Sequence, residues 1–129
     1  MPRVKSSAEL ASILIIESDP PTLEMYRREL SREFTVLACE NEAEVLDLIY
    51  SNDVRAVVLE PALAGNDGWR LLAVLREALA GRRVPIILCS TQDDRKRGMA
   101  EGATAFLVKP VLPVELHETI RRILAQTRE

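Results

Sequence analysis

No uninterrupted apolar run in this sequence approaches the roughly 18 residues that a membrane-crossing helix needs. The opening MPRVKSSAELAS also lacks the hydrophobic stretch of a signal peptide. These two absences point to the cytoplasm and away from a membrane. Cysteine is scarce, with only Cys39 and Cys89, and no CxxC or Cys/His spacing offers a zinc site. Both lie in or beside apolar runs, where a thiol behaves as a small buried hydrophobe. Basic residues form no stripe: 17 Lys and Arg are scattered among 20 Asp and Glu, for a formal charge of −3. That balance argues against direct nucleic-acid binding. The first strand-to-helix turn has no glycine-rich or Ser/Thr-rich phosphate cradle and carries Pro20 and Pro21 instead.

What is present suits one packed domain. The chain has 129 residues, of which 47% are apolar and 29% charged, a mixture that buries a core and leaves a polar surface. Residues 1–11 are polar and aperiodic and read as a disordered tail or linker remnant, which leaves 12–127 as the domain. Within it, short Ile/Val/Leu-rich runs alternate with stretches whose apolar residues repeat at helical spacing. Strands are expected at 13–16, 34–38, 56–59, 85–89 and 103–108, the middle ones almost continuously apolar, as strands buried on both faces are.

Helices are expected at 21–32 (Leu23, Tyr26 and Leu30 inward), 42–50 (Val45, Leu46 and Ile49 inward), 68–80, 93–101 and 113–127. Asn41 with Glu44 could form a capping box, Asp67 could cap the third helix, and Pro113 suits a first helical turn. Gly81 and Gly102 stand where left-handed helix exits are needed. Strict βα alternation predicts an α/β fold in three layers, with a doubly wound, parallel, five-stranded sheet between helices.

In such open sheets the chemistry gathers at the carboxyl ends of the strands. Those ends read Glu17-Ser18-Asp19, Glu60-Pro61, Ser90-Thr91 and Lys109-Pro110. With the surrounding runs ILIIESDPPTLEMYRREL, VVLEPALAGNDGWRLL, PIILCST and GATAFLVKPV, this order resembles the receiver domain of two-component response regulators, over about 12–127. The eight-residue step from Glu60 to Gly68 matches the family's step from the acceptor Asp to the Gly opening the third helix. The resemblance implies a flavodoxin-like (βα)5 fold. It also implies phosphoryl transfer from a kinase histidine to a third-strand aspartate, assisted by magnesium.

Carried over by position, Glu17 and Ser18 fall on the family's acidic pair, Glu60 on the acceptor, Ser90 on the phosphate-holding hydroxyl, Phe106 on the switch aromatic and Lys109 on the lysine. Ser90, Phe106 and Lys109 match the family pattern. Ser18 replaces a carboxylate with a hydroxyl, a poor ligand for a hard dication, so a magnesium site at Glu17, Glu60 and Ala62 is expected to be weak or absent. Glu60 adds a methylene that moves its carboxylate roughly 1.5 Å outward, and a misplacement of about 1 Å can cost on the order of a hundredfold in rate. The expectation is a degenerate phosphorylation pocket with no catalytic residues and no cofactor.

Two roles for Glu60 stand open: a partial mimic of the phosphorylated state through Lys109, or an ion pair that closes a polar cleft without favouring any conformation. Asp19 reads as a contributor to the local field or a helix cap, His117 as a surface helical residue, and Trp69 as a cover over the pocket or a half-exposed ring. Phe106 could serve the core, a switch, or both. The implied partners are proteins, a histidine kinase or a downstream regulator, with the chain a monomer or a weak dimer through its fourth helix, fifth strand and fifth helix.

Gly102 follows Ser90 by only 12 positions, which leaves a short fourth helix that resembles receivers embedded in larger regulators. The competing readings are a conventional phosphorylatable regulator with a non-standard acceptor and a small flavodoxin-like cofactor or hydrolase domain. The hydrolase would need Glu17 as nucleophile in ESDPPT, where haloacid-dehalogenase-like phosphatases have DxDxT, and no downstream acidic pair accompanies it.

Overall fold

The computed structural model describes residues 11–39, 42–62 and 68–127. Of the expected tail over 1–11, residues 1–10 lie outside them, as do the expected caps Asn41 and Asp67, while Ala11 is half-buried and accepts from the Thr35 N–H at 2.9 Å. Five parallel strands, β1 (Ser12–Ile16), β2 (Thr35–Cys39), β3 (Val54–Leu59), β4 (Ile86–Ser90) and β5 (Ala105–Val108), form one sheet in the order β2-β1-β3-β4-β5. They alternate with α1 (Pro20–Leu30), α2 (Val45–Ser51), α3 (Gly68–Ala78), α4 (Arg95–Ala100) and α5 (Pro113–Thr127). This is the three-layer α/β, flavodoxin-like arrangement expected from the βα alternation.

Strand residues alternate between two cores. Ile13, Ile15, Ala56, Val58, Ile87 and Cys89 face a cluster closed by α1 and α5 through Leu23, Tyr26, Leu30, Leu116 and Ile120. Leu14, Ile16, Val57, Leu59, Leu88 and Phe106 face the opposite cluster, closed by Val45, Ile49, Leu71, Leu72 and Leu75 of α2 and α3. Covering both faces explains why β1, β3 and β4 read as nearly unbroken apolar runs. The edge strands β2 and β5 are only partly buried. Both cysteines are buried and free, and burial pushes the Cys89 thiol up to about 12.

Local chemistry sets the helix ends. Asp19 caps α1 by accepting from the Thr22 N–H, while Pro20 and Pro21 occupy first-turn positions that need no donor. The Thr22 hydroxyl also donates to the Asp19 carboxylate and, as the largest influence, holds its acid below the usual range. Gly81 and Gly102 have φ of 82° and 103°, the left-handed exits that glycine tolerates. The second helix departs from expectation. Its first residues form a 3-10 turn (Glu42–Glu44), Glu44 makes no side-chain cap bond, and Leu46 is 38% exposed. Val45 and Ile49, four apart, take the inward face, and Leu46 is rotated about 100° away from Val45.

Candidate functional site

The strand order reverses between β1 and β3, the switch point at which neighbouring connections leave opposite faces and open a crevice. Backbone bonds extend the ladder just past the strands. Glu17 N–H donates to Cys39 O at 3.0 Å, Glu60 N–H to Ile16 O at 3.0 Å, and Lys109 N–H to Ser90 O at 2.7 Å. Glu17 and Glu60 are thereby set side by side over the crevice. Lys109 follows β5 and approaches from beyond β4, its long side chain spanning the width of that strand.

The three charged groups meet. Lys109 Nζ lies 2.6 Å from Glu17 Oε1 and 2.7 Å from Glu60 Oε2. The remaining oxygens take backbone donors: Asp19 N–H donates to Glu17 Oε2 at 3.1 Å, and Ala62 N–H to Glu60 Oε1 at 2.8 Å. Glu17 and Glu60 are only 3% and 4% exposed. Burial by itself would lower the Lys109 pKa, but the bonds from Glu17 and Glu60 outweigh it and raise the ammonium above its ordinary range. The site carries two buried negative charges on one cation, with all four carboxylate oxygens supplied with hydrogen-bond donors.

The other anticipated positions divide. Ser90 is 1% exposed at the end of β4, and its hydroxyl accepts from the Gln92 N–H at 3.1 Å. Ser18 is half-buried next to Glu17, and Ala62 is exposed, joining the site through its amide. Phe106 is not brought into the crevice. It is 6% exposed and belongs to the core on the α2–α3 side, under Gly98 of α4. Trp69 is half-exposed, with the Arg97 guanidinium 4.0 Å above its ring. Gly68 is required by close approach, since a Cβ there would run into the Pro61 carbonyl, directly after Glu60. Among the described residues, no group of three or more His, Cys, Asp or Glu side chains is placed to hold a metal ion.

His117 corrects the sequence expectation. It is 7% exposed, not a surface residue, because its position on α5 faces α1. Its Nδ1 lies 2.7 Å from Glu29 Oε2 and its Nε2 lies 2.7 Å from Glu33 Oε1. Phe34 meets the ring edge-on, with centroids 5.5 Å apart. Arg121 completes the cluster with a 2.6 Å bond to Glu33. Burial would raise the Glu33 acid, but bonds from Arg121 and His117 hold it below its ordinary range. The matching four-residue steps, Glu29 to Glu33 and His117 to Arg121, were the available signal for this pairing. The amides of Asp19, Ala62 and Gln92 had no such signal, because every non-proline residue carries one.

A profile of the response regulator receiver domain matches residues 13–121. Over 121 residues the sequence is 33% identical to the transcriptional regulatory protein HprR of Escherichia coli (strain K12), covering 91% of this chain and 52% of that protein. It is 34% identical over 124 residues to the transcriptional activator protein IrlR of Burkholderia pseudomallei (strain K96243), with 91% and 52% covered. The chain thus spans about half the length of these curated relatives. Among solved structures, the response regulator receiver domain protein (CheY-like) from Methanospirillum hungatei JF-1 superposes with a TM-score of 0.83 at 22% identity, covering 93% of this chain and 98% of that one.

Proposed function

This chain belongs to the response regulator receiver domain family, and from that premise we propose that it is a signalling module of a two-component system that is not efficiently phosphorylated and acts by protein–protein interaction. The observation that carries this reading is the closed accounting at Glu17 and Glu60, where each of four carboxylate oxygens already has a donor within 3.1 Å. A carboxylate attacks best through an oxygen unengaged and in line with the phosphoryl group, whereas each Glu60 oxygen already gives a lone pair to a donor, one to Lys109 and the other to the Ala62 amide.

These residues do not fit a divalent cation. Lys109 Nζ lies between the two carboxylates that would ligate it, Ser18 contributes no charge, and Ala62 turns its N–H toward Glu60. Of the two roles open to Glu60, closing a polar cleft is better supported than mimicry. Its cation is shared with Glu17, and one carboxylate falls short of the roughly −1.5 to −2 charge of a phosphoaspartate.

The module works in the cytoplasm as a monomer or weak dimer, reading out through α4, β5 and α5 to a histidine kinase or a downstream regulator. Met99 on α4 and Val114 on α5, 46% and 54% exposed, are apolar groups that such a partner would cover. The test is intact mass after incubation with a small phosphodonor and magnesium, for the unaltered chain and for the Ser18→Asp, Glu60→Asp variant. An adduct only on the variant is expected. An adduct on the unaltered chain overturns the proposal and makes Glu60 a working, non-standard acceptor.

A further inference from the structure

α4 is a helix of six residues, and helices shorter than about 12 residues are marginal on their own. Asp94 at its N-cap makes no side-chain capping bond, and Gly98 is its single buried residue. No α4 side chain is therefore anchored in the core. Core side chains instead rise to meet its backbone: a Cβ at Gly98 would lie 2.7 Å from Phe106 Cδ2 and 3.0 Å from Leu88 Cδ1. Beside the backbone bond from the Ala103 N–H to the Gly98 carbonyl at 3.0 Å, two side-chain contacts tie the helix and its exit to α3. The Arg97 guanidinium lies 4.0 Å above the Trp69 ring, with its Nε donating to Glu101 Oε2 at 2.6 Å. At the far end, Arg76 Nη1 donates to the Glu101 carbonyl at 3.0 Å, and the same side chain fills the space beside Gly102 where a Cβ would project.

We propose that α4 is a lid over Phe106, held shut by two arginine contacts with α3, Arg97 stacked on Trp69 and Arg76 bonded to the Glu101 carbonyl, so that drawing Arg97 off the ring lets α4 lift from Phe106 with no chemistry at Glu60. The clasp is weak enough to open. Both arginines are exposed, and a stacked cation at such a site has only modest strength. It is also in contact with the crevice, because Trp69 follows Gly68, which packs on Pro61 beside Glu60. The lid is independent of the reading of Glu60: a chain that accepts phosphate would still carry it.

Trp69 is the sole tryptophan and reports on the clasp directly. The experiment compares acrylamide quenching of Trp69 and amide hydrogen exchange in the unaltered chain, Arg97→Gln, Arg97→Lys and the Arg76→Gln, Arg97→Gln double variant. Arg97→Gln is expected to increase quenching and to speed exchange at the Gly98 and Glu101 amides about two- to fivefold. The double variant should reach about tenfold or more. Arg97→Lys, which keeps a cation, should stay nearer the unaltered chain, and the β1 and β3 amides should not change. Equal acceleration in β1 and β3 would mean general loosening and would overturn the lid, as would unaltered α4 exchange in the double variant.

Discussion

Lys109 is the only cation bonded to two buried carboxylates among the ion pairs described, so its removal tests the crevice most directly. In Lys109→Met the stem survives as packing while Glu17 and Glu60 are left facing each other with their backbone donors alone. Breaking a buried pair by deleting one partner costs about 3–5 kcal/mol. The Lys109 side chain is 14% exposed, which lets water in and favours the lower end, about 3 kcal/mol. Against a typical domain stability of about 5–15 kcal/mol this is a large share. With a urea slope of about 1–3 kcal/mol/M, the unfolding midpoint at pH 7 should fall by roughly 1–3 M. Adding Glu60→Gln removes one of the two repelling charges and should recover part of the loss, giving a positive coupling in the double-mutant cycle. A loss under about 1 kcal/mol, the range of exposed salt bridges, with no recovery on adding Glu60→Gln, would refute the view of Lys109 as the counterion on which the crevice depends.

Other consequences follow from the same structure. Gly68→Ala drives a Cβ into the Pro61 backbone, so it should destabilise by about 3 kcal/mol or more in urea unfolding, whereas Gly98→Ala, which meets a side chain, should cost about 1–3 kcal/mol. His117→Ala leaves Glu29 with a missing partner and Glu33 on Arg121 alone, for a cost of about 1–3 kcal/mol; a change below about 0.5 kcal/mol would mean that the α1–α5 cluster is ornamental. The Cys89 thiol, pushed by burial to about 12 from an ordinary value near 9, keeps a proton in the folded state that the unfolded chain releases. Its contribution is therefore fully present below about pH 9 and is lost as pH rises toward 12. Thiol reagents at pH 8.5 should leave the folded chain unmodified and label it in urea; rapid labelling without urea would contradict the burial of both cysteines.

The fold was legible because its signals are local and repeated. Two-sided burial writes β1, β3 and β4 as apolar runs, and Asp19, Gly81 and Gly102 mark helix ends through their own backbone chemistry. The boundaries were less legible: the expected helix over 93–101 contracts to Arg95–Ala100, and the one over 42–50 begins as a 3-10 turn. Leu46 was misassigned because three apolar residues close together leave the inward face ambiguous until a neighbouring surface selects it. His117 was misassigned because its partners lie 84 and 88 positions away.

By itself the sequence determined the family, the three-layer α/β architecture, and the presence of Glu17, Glu60, Ser90 and Lys109 at strand ends. Residue type and periodicity are properties of the chain read one position after another. Only the tertiary structure decided that Lys109 bridges both carboxylates, that the amides of Asp19 and Ala62 take their remaining oxygens, that Phe106 turns into the core and that Arg97 rests on Trp69. Those contacts depend on the distances between separate elements once the sheet is assembled, and on backbone donors that every such residue carries alike.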